Sequence, residues 1–170
     1  MSTKYCINCG AACMQTMRSC PTCGNRNFSV SPVTKPPEAP PLRGAQTGDR
    51  EFAVDRGWGG HFYLTAYVNG KSVNFLVDTG ATTVLLTSGD AKKVGFNLDL
   101  LTYNQPYESA NGTGYAATVR LKEIRIGSIQ ARNVGGSVIP DNDKVSLLGM
   151  SFLNRLSGFE INGNTMVLKP

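Results

Sequence analysis

The sequence predicts an all-β protein with one or two short helices. Its 170 residues include 19 glycines, and its apolar residues fall in short runs separated by turn-forming residues. Short apolar runs between such turn signals are typical of strands. Residues 61–68 also alternate polar and apolar side chains, which is the period of a strand that is buried on one face.

Composition divides the chain into three parts, and a chain of this length has room for one ordinary domain and a small module. Residues 1–28 contain all five cysteines. Residues 29–50 hold five of the nine prolines and few apolar residues, which predicts an extended linker. Residues 51–170 carry the strand-like runs and are predicted to form the β domain.

The β domain is predicted to open with a hairpin. The alternating strand ends at Asn69-Gly70, a pair that favours a type I′ turn, and its partner strand is predicted at residues 72–77. A short buried strand is predicted at residues 84–86. Ser88 is then predicted to cap a helix that covers residues 88–94.

The rest of the domain is predicted to consist mainly of hairpins. One covers residues 107–121, with its tip at Asn111-Gly112-Thr113-Gly114. The apolar residues then change parity, which predicts a bulge near Lys122 and Glu123. Further predicted elements are a turn at 126–129, a strand at 145–149, a helix around 151–156, and a last hairpin with strands at 159–161 and 165–168.

Charge and hydropathy argue against several classes of partner. The formal net charge of +5 is spread along the chain without a run of five or six like charges, so we expect a solvated surface and no nucleic-acid partner. No stretch is long and apolar enough to span a bilayer. The N-terminus shows no apolar segment before a small-residue cleavage site, so we expect no secretory signal and a cytoplasmic protein.

The most informative motif is Asp78-Thr79-Gly80-Ala81, which occurs once, directly after the apolar run Phe75-Leu76-Val77. A carboxylate at the end of a buried strand, held in a tight turn, suits aspartic-protease chemistry. That chemistry needs two facing carboxylates that share one proton. Because the chain supplies one such motif, a protease of this kind is predicted to work as a symmetric homodimer.

The residues around Asp78 have predicted roles in that chemistry. The ionised member of the pair takes a proton from a bound water, and the protonated member polarises the peptide carbonyl, without a metal or a covalent intermediate. Gly80 lets its N–H approach the carboxylate, and the Thr79 hydroxyl can lock the two loops across the dyad. Ala81 is small enough to lie under the substrate. Either Thr82 or Thr83 can hydrogen-bond the outer carboxylate oxygen.

Three segments together resemble a known family. Residues 75–86, FLVDTGATTVLL, resemble the active-site loop of retropepsin-like aspartic proteases, in particular the bacterial, single-lobed branch. Residues 110–113, ANGT, fall where that family has its flap. Residues 147–153, LLGMSFL, resemble the element that packs behind the catalytic loop. The resemblance covers roughly residues 59–170.

The resemblance implies a closed acid-protease-type β barrel, a homodimer, and a cleft that spans both subunits. A protein or peptide substrate would bind in the cleft in an extended conformation. The implied catalytic residues are Asp78, Thr79 and Gly80. The implied substrate-binding residues are Ala81, Asn111, Gly112 and Thr113.

Plainer interpretations of the motif stay open. The same residues are an ordinary strand-to-turn sequence in which Asp accepts backbone N–H bonds, and a family fold can lose its activity. The leading prediction is an aspartic endopeptidase with an N-terminal zinc ribbon. The alternative is a non-catalytic adaptor, whose ribbon binds a partner and whose barrel dimerises or holds a peptide without cutting it.

The cysteine spacing predicts a structural zinc site at the N-terminus. Two CxxC knuckles, each followed by Gly, are separated by ten residues, and four thiolates from two such turns suit tetrahedral Zn²⁺. Residues 1–28 are too few to bury a sufficient core, so the metal would supply roughly 10–16 kcal/mol of folding free energy. The predicted ligands are Cys6, Cys9, Cys20 and Cys23.

The alternatives to this zinc ribbon are a redox CxxC pair or two disulfides. Both fit poorly with a chain that has no secretory signal. Cys13, the fifth cysteine, fits a bystander thiol or an exchanging ligand. His61 alternates within a strand and is predicted to be structural. A ribbon of this kind binds proteins, binds nucleic acids or staples a terminus, and the sequence does not choose among these.

Overall fold

The structure is a computed structural model that describes residues 3–6, 12–21, 26–32, 50–109, 112–140 and 145–170. Most of the predicted linker, residues 33–49, lies outside the described residues. In chain order the strands are β1 (Thr3–Cys6), β2 (Ala12–Met14), β3 (Phe28–Ser29), β4 (Phe52–Asp55), β5 (Tyr63–Val68), β6 (Lys71–Val77), β7 (Val84–Thr87), β8 (Tyr103–Ser109), β9 (Gly112–Ile126), β10 (Ile129–Ile139), β11 (Ser146–Leu148), β12 (Gly158–Asn162) and β13 (Thr165–Lys169).

The helices are short. They are α1 (Ser88–Lys93) and α2 (Met150–Leu153), with two single 3-10 turns at Trp58–Gly60 and Leu98–Leu100. The predicted cap of α1 is wrong by one residue, because the Thr87 side chain accepts the N–H of Asp90 at 3.2 Å. No helix within the described ranges is long and apolar enough to cross a membrane.

Six strands close into a barrel. Neighbouring strands pair in the order β10-β7-β11-β6-β5-β9, and β9 pairs back onto β10, which completes the ring. The β10–β7 and β6–β11 pairs are parallel. Strand β8 extends the sheet beyond β9 as one arm of a hairpin. The predicted all-β barrel with short helices is therefore confirmed.

The barrel encloses one apolar core. In the segment predicted to alternate, residues 61–68, the four apolar side chains are all buried, which confirms the alternation. They are Phe62, Leu64, Ala66 and Val68. A domain of this kind gains most of its stability from such burial. The largest side chains that are fully buried include Phe75, Phe152, Leu86, Leu121 and Ile124.

The turn between β5 and β6 has the predicted form. Asn69 and Gly70 have φ angles of 50° and 81°, as a type I′ turn requires at its two central positions. The two strands are paired from Tyr63 with Leu76 to Val68 with Lys71. Strand β6 ends at Val77, so Asp78 is the next residue after this paired strand.

The bulge predicted near Lys122 and Glu123 is not present, although the apolar residues do change parity there. Strands β9 and β10 keep one register on both sides of this point, and no extra residue is inserted in either strand. Both strands instead change parity together, with Asn133 at a φ of 53°. The Asn69 side-chain oxygen accepts the N–H groups of Lys122 at 3.0 Å and Glu123 at 3.3 Å, so it satisfies the interrupted backbone.

Two smaller sheets accompany the barrel. Near the C-terminus, β12, β13 and β4 form an antiparallel sheet, and the predicted last hairpin is confirmed, with Asn162 paired to Thr165. At the N-terminus, β2, β1 and β3 form a separate antiparallel sheet. Cys6 and Cys13 lie in this second sheet, and together with Cys20 they form a buried cluster separate from the barrel core.

Candidate active site

The main chain at Asp78 is fixed on both sides by neighbouring strands. Strand β6 lies between β5 and β11. At its end, the N–H of Val77 donates to the carbonyl of Phe62 at 2.9 Å, and the N–H of Asp78 donates to the carbonyl of Leu148 at 3.2 Å. The sheet thus places Asp78 at the rim of the barrel, where its side chain is half-buried.

A tight turn follows directly. The N–H of Ala81 donates to the carbonyl of Asp78 at 3.3 Å, and the N–H of Gly80 donates to the Asp78 carboxylate Oδ1 at 2.8 Å. A Cβ on Gly80 would lie 3.2 Å from that same oxygen, which is tighter than ordinary contact. The close approach predicted for Gly80 is therefore present. Thr79 and Gly80 are exposed on the single chain.

The segment at the start of α2 holds the loop from behind. The N–H of Met150 donates to the carbonyl of Ala81 at 2.8 Å, and the N–H of Ser151 donates to the carbonyl of Thr82 at 3.0 Å. Gly149 makes this contact possible, because a Cβ there would lie 2.2 Å from one loop carbonyl oxygen and 2.6 Å from another. Residues 147–153, which were predicted to pack behind the loop, therefore do contact it.

One of the two threonines predicted to bond the outer carboxylate oxygen is engaged elsewhere. The Thr83 hydroxyl lies 3.1 Å from the hydroxyl of Ser137 on β10 and is engaged there, rather than with the outer oxygen of Asp78. This bond ties the end of the loop to the neighbouring strand. Thr82 is exposed, and its carbonyl is held by α2 as described above.

The predicted flap is the hairpin of β8 and β9. Asn111 lies outside the described residues. Gly112 and Thr113 belong to β9, where Thr113 pairs with Glu108, so the predicted tip is wrong at these positions and the paired stem reaches further. The ring of Tyr107 covers Gly114, where a Cβ would lie 2.7 Å from the ring. An aromatic side chain over a strand glycine stiffens the stem of the hairpin.

Aromatic residues line the entry to β5, near the end of β6. The rings of His61 and Tyr63 meet edge to face, with centroids 6.4 Å apart. Tyr63 pairs with Leu76, two residues before Asp78. Burial raises the pKa of the Tyr63 phenol, because a desolvated phenolate is disfavoured, so this hydroxyl stays protonated at neutral pH.

The predicted zinc ligands are described only in part. Cys6 and Cys20, one from each CxxC knuckle, are both buried in one cluster together with Cys13, and Met17 and Phe28 pack against it. Cys9 and Cys23 lie outside the described residues. Within the described ranges, no group of three or more His, Cys, Asp or Glu side chains has the geometry to hold a metal ion.

The structure thus gathers Asp78, Thr79, Gly80 and Ala81 in one loop. This loop presents a carboxylate that accepts a backbone N–H and remains open to solvent on one side. Sequence reasoning missed Ser151, whose hydroxyl contacts the end of this loop. Its only signal was a polar residue inside the apolar segment LLGMSFL.

A closed barrel that presents one aspartate on a glycine-containing turn fits the single-lobed acid-protease class that the sequence resembles. A family model described as gag-polyprotein putative aspartyl protease matches residues 64–155, more than half of the chain. The chain belongs to this family. The matched region includes the Asp78 turn, the hairpin of β8 and β9, and the segment at α2.

A solved structure agrees with this assignment. The crystal structure of a retropepsin-like aspartic protease from Rickettsia conorii is 41% identical in sequence, with a TM-score of 0.64. The match covers 70% of this chain and 89% of that chain. The fold of the barrel is therefore retropepsin-like.

Two curated relatives also match. An uncharacterized protein of Rickettsia prowazekii strain Madrid E is 42% identical over 118 residues, which are 69% of this chain and 51% of that protein. An uncharacterized protein from the cobV 5′ region of a Sinorhizobium species is 40% identical over 123 residues, which are 72% and 53%. The chain spans about half the length of these curated relatives.

Proposed function

We propose that this protein is an aspartic endopeptidase that hydrolyses peptide bonds as a homodimer, with Asp78 from each subunit forming the catalytic pair. One observation carries the proposal: Asp78 follows a strand of a closed barrel, and its carboxylate accepts the N–H of Gly80. The next two residues of this turn, Thr79 and Gly80, are exposed. The chemistry requires two such carboxylates. A two-fold axis beside this turn supplies the second from an identical chain.

In the proposed pair, the two carboxyls share one proton. The ionised carboxylate takes a proton from water, and the water oxygen attacks the peptide carbonyl carbon while the other carboxyl gives its proton to the carbonyl oxygen. Return of a proton to the amide nitrogen then breaks the C–N bond. The N–H of Gly80 keeps the Asp78 carboxylate oriented throughout.

Substrate contacts follow from the same arrangement. Ala81 lies in the same turn as Asp78, its carbonyl accepts the N–H of Met150, and its small side chain is proposed to lie under the substrate. Gly112 and Thr113 belong to the hairpin that would cover an extended peptide, and Asn111, which lies outside the described residues, is proposed to contact the same peptide. Main-chain hydrogen bonds to such a hairpin give affinity, and pockets for side chains give specificity.

The proteolytic assay tests this function directly. Unfolded casein would be incubated with the full chain between pH 4 and pH 7, with and without pepstatin. We expect cleavage within this range, and we expect pepstatin to block it, because the proposed mechanism is that of an aspartic protease. Peptide binding without cleavage at any pH would favour the adaptor alternative instead.

We also propose a structural zinc bound by Cys6, Cys9, Cys20 and Cys23, which would stabilise the N-terminal module and take no part in catalysis. The donor set fits the metal, because four thiolates suit Zn²⁺. The burial of Cys6 and Cys20 in one cluster supports this assignment. Cytoplasmic location stays a prediction from the same cysteine usage.

Metal content tests the zinc proposal. Native mass spectrometry of the purified chain is expected to give one zinc per chain, and Cys23→Ser is expected to lose it, because three thiolates hold the ion much more weakly. Cys13→Ser is the matched control and should retain the ion. A full chain that folds without zinc, or equal loss in both variants, would contradict the ligand set.

A further inference from the structure

The loop from Asp78 to Val84 is attached at several points to one short segment. Asp78 bonds to Leu148, Ala81 to Met150 and Thr82 to Ser151, all through main-chain atoms. The far end of the loop is held differently. The N–H of Val84 donates to the hydroxyl oxygen of Ser151 at 2.9 Å, so a side chain makes this attachment.

The Ser151 hydroxyl also reaches a third element. It donates to the carbonyl of Gly135 on β10 at 2.6 Å while it accepts from Val84. The parallel β10–β7 pairing starts at the next residue, with Gly136 opposite Val84. One hydroxyl therefore joins the start of α2, the end of the catalytic loop and the barrel wall.

Two of these three elements are tightly packed where β7 begins. Val84 is fully buried, and a Cβ on Gly136 would lie 3.3 Å from both the Val84 carbonyl and the Leu121 side chain. Without the hydroxyl, the Val84 N–H and the Gly135 carbonyl would lose the partner that satisfies them. The loop end would then shift to regain hydrogen bonds.

We propose that Ser151 is a positioning residue: its hydroxyl holds residues 78–84 in the arrangement that presents Asp78 to the substrate. This inference rests on the proposed protease function. Ser151 acts through Val84 and does not contact the reacting atoms. Because catalysis depends steeply on the placement of the reacting groups, a shift of about 1 Å in the loop lowers the rate up to about a hundredfold.

The fold offers a matched control at the other end of β7. Ser146 is buried, and its hydroxyl accepts the N–H of Thr87 at 3.2 Å and donates to the Asp90 carboxylate at 2.7 Å. It therefore makes the same kind of bond to the same strand as Ser151. It lies away from the catalytic loop, against α1 rather than α2.

The experiment compares Ser151→Ala with Ser146→Ala in the full chain, at a temperature where both variants are folded. We expect similar losses of melting temperature, because each variant unpairs a backbone N–H of β7. Only Ser151→Ala should lower kcat, by about tenfold or more, with KM within about twofold of wild type. Unchanged kcat in Ser151→Ala, or an equal loss in Ser146→Ala, would overturn the assignment.

Amide hydrogen exchange tests the positioning role of Ser151 separately from the proposed protease function. Faster exchange of residues 79–84 in Ser151→Ala, but not in Ser146→Ala, supports the positioning role independently of activity. Unchanged exchange in that loop overturns it. A wild type that cleaves no substrate under any condition counts against the proposed function alone, and the exchange result still decides the role of Ser151.

Discussion

Asp78→Asn is expected to abolish proteolysis, with cleavage of casein reduced at least about a thousandfold. The substitution removes both carboxyls of the proposed dyad at once, so neither water activation nor protonation of the carbonyl oxygen can occur. The fold should survive, because the Asn side-chain oxygen can still accept the N–H of Gly80 that Asp78 accepts at 2.8 Å. The measurement is the rate of peptide release, together with the free energy of unfolding in urea.

Asp99→Asn is the control for this variant. Asp99 is exposed in the 3-10 turn at Leu98–Leu100, so the substitution removes the same charge outside the loop of residues 78–84. Its activity is expected to match wild type. The free energy of unfolding of both variants should stay within about 0.5 kcal/mol of wild type. Undiminished cleavage by a folded Asp78→Asn protein would exclude the proposed mechanism.

Gly149→Ala is expected to destabilise the barrel by about 3 kcal/mol or more. The added Cβ would lie 2.2 Å from the Thr83 carbonyl oxygen and 2.6 Å from the Ala81 carbonyl oxygen. Both are backbone atoms of the loop of residues 78–84, so relief requires this loop to move as a whole. Urea denaturation measures the stability, and the remaining folded protein should also lose cleavage activity.

Gly158→Ala separates this clash from the general effect of replacing glycine. Gly158 lies in a strand, and a Cβ there would meet no atom within 4 Å. Alanine in such an open strand position is expected to be neutral or slightly stabilising, by up to about 1 kcal/mol. If Gly149→Ala were as stable as Gly158→Ala, the close contact between α2 and the loop would be refuted.

Local signals predicted the parts of the fold that depend on neighbouring residues. Asn69-Gly70 fixes its own turn through φ angles that these two residues tolerate, so the first hairpin was predictable. The cap of α1 was misplaced because Thr87 and Ser88 are adjacent and both residue types cap helices. Such boundary errors do not alter which face of the element is buried.

Features that join distant parts of the chain were not predictable in this way. The parity change at Lys122 requires the side chain of Asn69, which is 53 residues earlier. The bond from Ser151 to Val84 spans 67 residues, and no periodicity or spacing signals it. The placement of Asp78 at the end of a strand was predictable, because the apolar run and the turn-forming Thr79-Gly80 lie directly on either side of it in the sequence.

The central claim is that two copies of Asp78 must meet before water is activated, and subunit mixing tests it most directly. Wild-type chain at fixed concentration would be equilibrated with a ninefold excess of Asp78→Asn, with casein in large excess so that the variant cannot sequester it. If only wild-type pairs cleave, random pairing leaves about one tenth of the original activity. Activity that stays at the level of the wild-type chain alone would show that a single subunit suffices, and would contradict the account.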